Sequence, residues 1–303
     1  MVLESLPSHK TKASGLQTPY TMDLTVLVDN NTLIDRYFLA EPAFSVYIKE
    51  GDRQILFDCG YSDVFLRNAL TMGIDLNQLD TIIISHGHID HTGGLPSLLQ
   101  YWSAAESGEA AAQKREFVFH PAALALRTCE HFGTIGTLVG KESLAVWGTL
   151  QETVSPYWLN DNRVFLGEIP TLFPFEERPT IGLLHTPEGI IPDTVPDDSA
   201  LACLTDEGMV LIAGCSHAGI CSTVEYAKEV TGENRIVDII GGMHLYDAGE
   251  ERITATAEYL KSVHPASLHP CHCTGKRAML HLAEVAPGEE VGVGLTLHYP
   301  TNE

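Results

Sequence analysis

The sequence predicts an α+β protein in which two β-sheets pack face to face and helices cover the outside. Short apolar or alternating segments, bounded by turn residues, dominate the first part of the chain. Such segments then alternate with stretches whose apolar residues recur at helical spacing, and the same character returns towards the C-terminus. Two packed sheets with outer helices would bury these mostly apolar strands.

The first elements follow from local composition. Strands are predicted in "MDLTVLVDN", "FSVYIKEG" and "RQILFDCG". The segment "SDVFLRNALTMG" predicts a helix that Ser62 caps and Gly73 ends. The continuous β-branched run "TIIIS" predicts a strand buried on both faces, and a helix is expected in "LPSLLQYW".

The later elements are assigned on the same grounds. A strand in "REFVFH" is expected to lead into a helix in "PAALALR". Further strands are predicted in "NRVFLGEIP", "TIGLLH", "ALACLTDEGMVLIAG", "RIVDIIGG", "PASLHP" and "VGLTLH". Further helices are predicted in "TVEYAKEVTG", "ERITATAEYLKSVH" and "KRAMLHLAEVAPG".

The chain is predicted to form a single domain over residues 22–303, after a flexible N-terminal leader over residues 1–21. The leader is polar and lacks an apolar core, which argues against export. Residues 128–157 are rich in Gly and Thr and are interpreted as an inserted segment. This segment is either a cover over the functional site or a plain surface insertion.

Charge and cysteine content narrow the function classes. The net charge of −22 argues against nucleic acid as a partner, because phosphate contacts need clustered Lys and Arg. No apolar run is long enough for a membrane span. The odd number of cysteines, seven, favours reduced thiols and a cytoplasmic location. We expect a small-molecule substrate, and the sequence leaves the oligomeric state open.

The stretch "IIISHGHIDHTGG" carries the most specific chemistry. His86, His88, Asp90 and His91 fall within six residues, between a predicted buried strand and a helix. Imidazoles and a carboxylate suit Zn²⁺, Fe or Mn, whereas crowding three basic rings gains nothing structurally. The pattern therefore predicts metal binding, with His86 and His88 on one ion and Asp90 and His91 reaching towards a second.

This HxHxDH signature, followed by two glycines and preceded by "ILFDCG", resembles the metallo-β-lactamase superfamily over most of the chain. The resemblance implies a four-layer αββα sandwich with two divalent metal ions at one edge of the sheets. Zn²⁺ is favoured, with Mn²⁺ or iron as alternatives. Asp58 resembles the aspartate that orients the ligand loop in this superfamily, although it could also simply form the turn at a strand end.

The resemblance is incomplete at the next expected ligand. Superfamily members commonly carry "HTPGHT", and the matching stretch here is "HTPEGI", in which His185 is present but Gly189 replaces the ligand. The stretch "MVLIAGCSHAGI" offers Cys215 and His217 instead. Cys215 stands where the superfamily usually has a bridging aspartate, and it is either a thiolate ligand or a buried thiol. His217 is predicted to replace the missing ligand, the alternative being a hydrogen-bonded turn histidine.

The stretch "LHPCHCTGKRAM" matches the late ligand of the superfamily and predicts His272 as a metal ligand. His269 is expected to pack or to bond a carbonyl group, and Cys271 and Cys273, which flank the ligand, are expected to pack. Thr274 and the helix start near Lys276 are a candidate anion site.

Two further stretches contribute candidates of other kinds. His244, in "IIGGMHLYD", is expected to act as an acid or base or to orient the substrate, unless it is a core histidine. Asp90 and His244 are the candidate catalytic residues. Asp197 and Asp198, in "VPDDSALAC", either bond a ligand imidazole or substrate or serve turn chemistry.

The combined motifs resemble one branch of the superfamily, the 7,8-dihydropterin-6-methyl-4-(β-D-ribofuranosyl)aminobenzene 5′-phosphate synthase-like proteins. The expected function is a metal-dependent hydrolase that uses a metal-bound hydroxide on a small ester or phosphoester, with pterin-related molecules as candidates. The alternatives are a non-hydrolytic lyase or transferase, an iron redox enzyme, and a metal-retaining binding protein with little turnover. No GxSxG is present, and a Cys215–His217 nucleophile pair is disfavoured by its spacing.

Overall fold

The computed structural model describes residues 20–105 and 115–301 of the chain. Residues 1–19 of the predicted leader lie outside the described residues, and its last two residues already belong to a strand. Within the described ranges, no helix is long and apolar enough to cross a bilayer.

The first sheet contains the predicted N-terminal strands. Over the described residues it has seven strands in the order β17 (Thr296–Thr301), β1 (Tyr20–Val28), β2 (Ser45–Glu50), β3 (Arg53–Phe57), β4 (Thr81–Ile84), β5 (Arg115–Phe119) and β8 (Gly148–Glu152). The pairings from β17 to β3 are antiparallel, and those from β3 to β8 are parallel. The strand β8 lies within residues 128–157, so part of the predicted inserted segment belongs to this sheet.

The second sheet is assembled from the C-terminal half of the chain. In the described ranges it has six strands in the order β16 (Ser267–Cys271), β15 (Ile236–Gly242), β14 (Gly208–Ala213), β13 (Ala200–Thr205), β10 (Arg163–Phe165) and β9 (Tyr157–Asn160). The strands β14, β15 and β16 run parallel.

A third, small antiparallel sheet lies beside these two. Among the described residues it has four strands in the order β12 (Gly189–Pro192), β11 (Leu183–Thr186), β6 (Arg127–Cys129) and β7 (Gly133–Thr134). The prediction of a helix in "PAALALR" is wrong, because a short 3₁₀ turn at Pro121–Leu124 leads into β6 there. The turn begins with a proline, and the N–H of Ala122 donates to the ring of the preceding His120.

The helices cover the outer faces. They are α1 (Val64–Met72), α2 (Ile89–Thr92), α3 (Leu95–Ala104), α4 (Lys141–Ala145), α5 (Ile220–Thr231), α6 (Glu250–Val263) and α7 (Lys276–Leu282). Gly73 ends α1 in the left-handed conformation, as predicted, with φ of 76°. Ser62 lies one residue before the cap position, Asp63, and its hydroxyl accepts a hydrogen bond from Val64 N–H at 3.3 Å.

Three buried clusters define the layers. Side chains from both large sheets form the central cluster, in which Ile83 of β4 packs with Val210 and Ile212 of β14. Ile82 and Ile84 point to the opposite side and pack with α1 and α3. The outer face of the second sheet is covered by α5, α6 and α7. The order helix, sheet, sheet, helix confirms the predicted four-layer αββα sandwich, and β4 is buried on both faces as expected.

Candidate metal centre

The loop after β4 carries the predicted ligand motif into the protein interior. The strand ends at Ile84, and the chain passes through His86 and His88 into α2. His86 is fully buried. A Cβ atom at Gly87 would lie 2.0 Å from the carbonyl oxygen of Ala123, so glycine is required where the loop meets the neighbouring turn.

The second sheet brings further donor groups to the same edge. Because β14, β15 and β16 are parallel, their carboxyl ends meet there. Cys215 and His217 follow β14, His244 follows β15, and His272 follows β16. Side chains that follow three separate strands therefore lie at one edge of this sheet.

The turns at this edge have unusual backbone conformations. Four residues other than glycine have positive φ angles here: Asp58 (58°), Ser216 (59°), His244 (44°) and His272 (50°). Such conformations are uncommon for L-residues and cost about 1–3 kcal/mol each. Strain of this kind is typical of turns that aim functional side chains.

The first group of converging side chains is His86, His88 and His217. One nitrogen from each ring lies within 4.8 Å of the others, and all three rings are buried. The distance from His86 Nε2 to His88 Nδ1 is 3.0 Å. This group offers three imidazole donors.

The second group is Asp90, His91, Cys215 and His272, and its ligand atoms also lie within 4.8 Å of one another. The Nε2 atom of His91 is 3.1 Å from the sulfur of Cys215 and 3.7 Å from Asp90 Oδ2. The Nε2 atom of His272 is 3.4 Å from the same carboxylate oxygen. The second group therefore combines two imidazoles, a thiol and a carboxylate.

Both groups fit a divalent metal ion chemically. Burial, reinforced by the neighbouring rings, lowers the pKa of His86 and His217 well below the usual value, and burial lowers the pKa of His88 to about 4. These rings are therefore neutral and have free lone pairs. Within the described residues, His88 Nε2, both ring nitrogens of His217, and His272 Nε2 are buried without a hydrogen-bond partner. Buried polar atoms of this kind are costly unless something engages them, and a metal ion would do so.

Asp58 supports the second group as predicted. Its Oδ2 atom is 2.7 Å from His91 Nδ1, and its carboxylate accepts hydrogen bonds from the N–H and the hydroxyl of Ser85, both at 2.7 Å. A carboxylate on Nδ1 fixes that nitrogen as the donor, so Nε2 is the atom that faces Asp90 and Cys215. Burial opposes protonation of His91, but the charges of Asp90 and Asp58 raise its pKa to about 9, so a metal ion at Nε2 would replace a proton.

Comparisons with known proteins agree with this geometry. The sequence profile of the metallo-beta-lactamase superfamily matches residues 40–255. The chain belongs to the metallo-β-lactamase superfamily. It is also 33% identical over 235 residues to the 7,8-dihydropterin-6-methyl-4-(β-D-ribofuranosyl)-aminobenzene-5′-phosphate synthase of Methanocaldococcus jannaschii, a match that covers 75% of this chain and 77% of that protein.

Solved structures of the metallo-β-lactamase fold align with nearly the whole chain. A crystal structure described as a metal-dependent hydrolase of the β-lactamase superfamily aligns with a TM-score of 0.74 and 27% identity, covering 91% of this chain and 98% of the other. The fold protein YhfI from Bacillus subtilis aligns with a TM-score of 0.56 and 14% identity, covering 92% and 99%, and this likeness concerns the fold alone. Members of the superfamily are commonly metal-dependent hydrolases, and they bind divalent metals.

The stretch "HTPEGI", which departs from the superfamily pattern, contributes to the small third sheet. His185 lies on β11 in the small third sheet, where its Nε2 atom is 2.9 Å from Thr128 Oγ1. Gly189 begins the paired strand β12. His217 lies with His86 and His88 in the first group.

The adjacent carboxylates of Asp197 and Asp198 hold the backbone of two ligand loops. Asp197 Oδ2 accepts a 2.7 Å hydrogen bond from the N–H of Gly87, which lies between two ligand histidines. Asp198 Oδ2 accepts a 2.8 Å hydrogen bond from the N–H of Ala218, next to His217. The sequence left the partners of both carboxylates open. The structure gives each a backbone N–H rather than an imidazole ring, and Asp197 also pairs with Arg127.

His272 is held in place by two residues, Asp29 and Asn30, that were not predicted from the sequence. Its backbone N–H donates to Asp29 Oδ1 at 2.9 Å, and its Nδ1 atom is 3.2 Å from Asn30 Oδ1. Both residues directly follow β1. The only signal was a pair of polar residues after an apolar strand, which is also how ordinary turns look.

The residues on either side of His272 have different surroundings. Cys271 packs in the central cluster, as predicted. Cys273 is instead grouped with Cys215 and His244, and the ligand atoms of the three lie within 4.8 Å of one another. His269 bonds the carboxylate of Asp238 at 2.8 Å.

The proposed anion site at Thr274 is not supported. Its hydroxyl donates to Cys271 O at 2.7 Å and accepts from Met243 N–H at 3.1 Å. Both bonds are buried, and the bond from Met243 joins the turns after β15 and β16. Lys276 lines a cavity of about 890 Å³ that also includes His272.

Proposed function

We propose that the protein is a hydrolase that depends on two divalent metal ions, with Zn²⁺ favoured, and that acts on a small ester or phosphoester. The observation that carries the proposal is the pair of adjacent donor groups. The first group, with three neutral imidazoles, resembles a catalytic zinc site that keeps a position open. The second group already contains four donors.

The bound ions would supply Lewis acidity and an activated water nucleophile at neutral pH. His86, His88 and His217 would hold one ion, and Asp90, His91, Cys215 and His272 the other. The two ions would also attract an anionic substrate, which the net charge of −22 would otherwise repel.

His244 is the candidate proton donor to the leaving group. Its ring centroid is 4.2 Å from that of His217, and its Nδ1 atom is buried without a hydrogen-bond partner among the described residues. Burial opposes protonation, but the interaction with Cys273 and the charge of Asp247 together raise the pKa of His244. An imidazolium next to the first group can deliver a proton there. Asp58 meanwhile keeps the His91 ring in one orientation.

Replacing His244 with alanine should lower the turnover number by about 10²–10⁴-fold, the usual contribution of general acid–base catalysis. The ions at the first and second groups should stay in place, because His244 belongs to neither. Rates and metal content measured on the same preparation check this, with His185→Ala as the matched control. Loss of metal in step with rate would make His244 a ligand of the catalytic ions.

Removing the ions with a chelator should lower the melting temperature. An ion present at 100 times its dissociation constant stabilises the folded state by about 2.7 kcal/mol. For a chain of this size, that amount corresponds to about 5–10 °C. Calorimetry before and after chelation, and after addition of Zn²⁺, measures the change. Equal melting temperatures in all three states would contradict a buried metal centre.

A second candidate function is group transfer without hydrolysis, in which the protein acts as a synthase on a pterin-type substrate. The identity of 33% to a synthase favours it. An iron redox enzyme and a binding protein with little turnover are further alternatives. Bound iron in elemental analysis, together with oxygen uptake, would favour the redox enzyme.

One experiment separates the two leading candidates. The metal-loaded protein is given a panel of phosphomonoesters, phosphodiesters, lactones and thioesters in ¹⁸O-labelled water, and separately pterin-type substrate pairs. A hydrolase incorporates one ¹⁸O atom into the product, whereas a transferase joins two substrates and incorporates none. No turnover with any compound by fully loaded protein would count against both.

A further inference from the structure

Three side chains next to the proposed centre form a separate donor set. The sulfur atoms of Cys215 and Cys273 and one ring nitrogen of His244 lie within 4.8 Å of one another. Only Cys215 also belongs to the second group. We refer to Cys215, His244 and Cys273 as the third group.

The backbone holds Cys273 in this place. It lies in the 3₁₀ turn His272–Thr274 directly after β16, and the positive φ of His272 turns the chain there. The sulfur of Cys273 is 3.5 Å from the carbonyl oxygen of Cys215. A Cβ atom at Gly242 would lie only 2.6 Å from that sulfur, so glycine at this position makes the space that the thiol fills.

His244 is fixed against the same turn. The N–H of the preceding Met243 donates to Thr274 Oγ1 at 3.1 Å, and the N–H of Tyr246 donates to Cys273 O at 3.2 Å. These bonds tie the segment after β15 to the segment after β16 on both sides of His244. The Nδ1 atom of His244 has no hydrogen-bond partner within the described residues.

Two thiols and an imidazole form a softer donor set than either of the other groups. Sulfur ligands select thiophilic ions such as Zn²⁺ and Cd²⁺ over Mn²⁺ or Mg²⁺. We propose that the third group is a third metal position, specific for thiophilic divalent ions, with Cys215 shared between it and the second group.

Occupation of this position has a consequence that rests on the proposed function. A metal ion on His244 engages the ring that would otherwise donate a proton to the leaving group. Excess Zn²⁺ or Cd²⁺ is therefore expected to inhibit turnover, whereas excess Mn²⁺ is not.

Cadmium titration of the metal-free, reduced protein tests the position without any substrate. The wild-type protein should bind three equivalents of Cd²⁺, and Cys273→Ala should bind two. The ultraviolet absorption of cadmium–thiolate bonds should fall in the variant but not vanish, because Cys215 remains. Cys271→Ala is the matched control: it lies two residues away, loses the same atoms and packs in the central cluster, so it should bind three equivalents.

Two results would overturn the proposal. One is equal Cd²⁺ stoichiometry for the wild-type protein and the Cys273→Ala variant, and Cys273→Ser repeats the test if the alanine variant does not fold. The other is five reactive thiols in the unfolded, unreduced wild-type protein but six in Cys273→Ala, which would indicate that Cys215 and Cys273 form a disulfide. Failure of the proposed function looks different, because metal would bind while the ester panel stays inactive.

Discussion

Replacing His88 with alanine is expected to remove the ion from the first group and to lower kcat/KM by more than about 100-fold. Loss of a residue that merely supports a ligand costs about 10–100-fold in metal affinity or activity, and loss of the ligand itself should exceed this. His88 is one of the three donors in its group, and the two that remain are fewer than the three protein ligands of a catalytic zinc site. The second group keeps all four of its donors.

The measurement is metal content together with rate, at several concentrations of added Zn²⁺. The variant should hold one ion fewer than the wild type, and added metal should restore the rate only in part. His185→Ala provides the matched control, because this ring lies on β11 and its Nε2 atom pairs with Thr128 rather than with the metal centre. Full metal content and wild-type turnover in His88→Ala would remove the basis of the proposed mechanism.

The ligand motif was predictable because the sequence concentrates it. His86, His88, Asp90 and His91 directly follow an apolar strand, and the chemistry of the residues alone indicates metal binding. His217 and His272 were predictable for a related reason, since each follows an apolar run that ends at the same edge of the second sheet. Parallel strands bring such residues together without any further information.

The inward position of Cys273 could not be predicted. It depends on the positive φ of His272, a conformation that non-glycine residues rarely adopt and that no local pattern indicates. Neighbouring residues normally point in different directions, so a ligand at His272 suggested packing for Cys273. The helix expected at "PAALALR" failed for a different reason. Apolar spacing fitted a helix, but the stretch forms a short 3₁₀ turn, and its last residue, Arg127, pairs with β11 at the start of β6.

Residues that hold the ligand loop from distant parts of the sequence could not be predicted either. Arg127, fully buried, donates from Nε to Asp193 Oδ2 at 2.9 Å and from Nη2 to Asp197 Oδ1. Asp197 in turn accepts from Gly87 N–H. A sequence shows that these residues are charged, but it does not show that folding buries them together. The series of hydrogen bonds from Arg127 through Asp197 to Gly87 links the small third sheet to the first group.

This series of hydrogen bonds predicts that Asp197→Ala weakens metal binding at the first group only. Removing one partner of a buried ion pair typically costs about 3–5 kcal/mol, and the surviving contact from Arg127 to Asp193 should keep the loss near the lower end. The N–H of Gly87 also loses its acceptor, so the loop between His86 and His88 is no longer fixed. Affinity for the ion of the first group should fall by about 10–100-fold, while the second group keeps its affinity.

The matched control for Asp197→Ala is Asp193→Ala. Asp193 also pairs with Arg127, and its other carboxylate oxygen accepts a hydrogen bond from Val195 N–H at 2.8 Å, so it does not contact the ligand loop. Its loss should destabilise the fold to a similar extent and leave both metal affinities unchanged. A third variant, Asp58→Ala, should weaken the second group most, because Asp58 bonds His91 directly and reaches His86 of the first group only through the hydroxyl of Ser85.

Denaturant unfolding and competitive metal titration on all three variants give the required comparison. If Asp197→Ala and Asp193→Ala lose first-group affinity equally, the carboxylate acts only through overall stability. If Asp197→Ala and Asp58→Ala weaken the same ion most strongly, the two donor groups do not form separate sites. The expected pattern is opposite selectivity in Asp197→Ala and Asp58→Ala, with Asp193→Ala changing stability alone. That pattern would mean that each group is held by its own carboxylate and can be loaded independently.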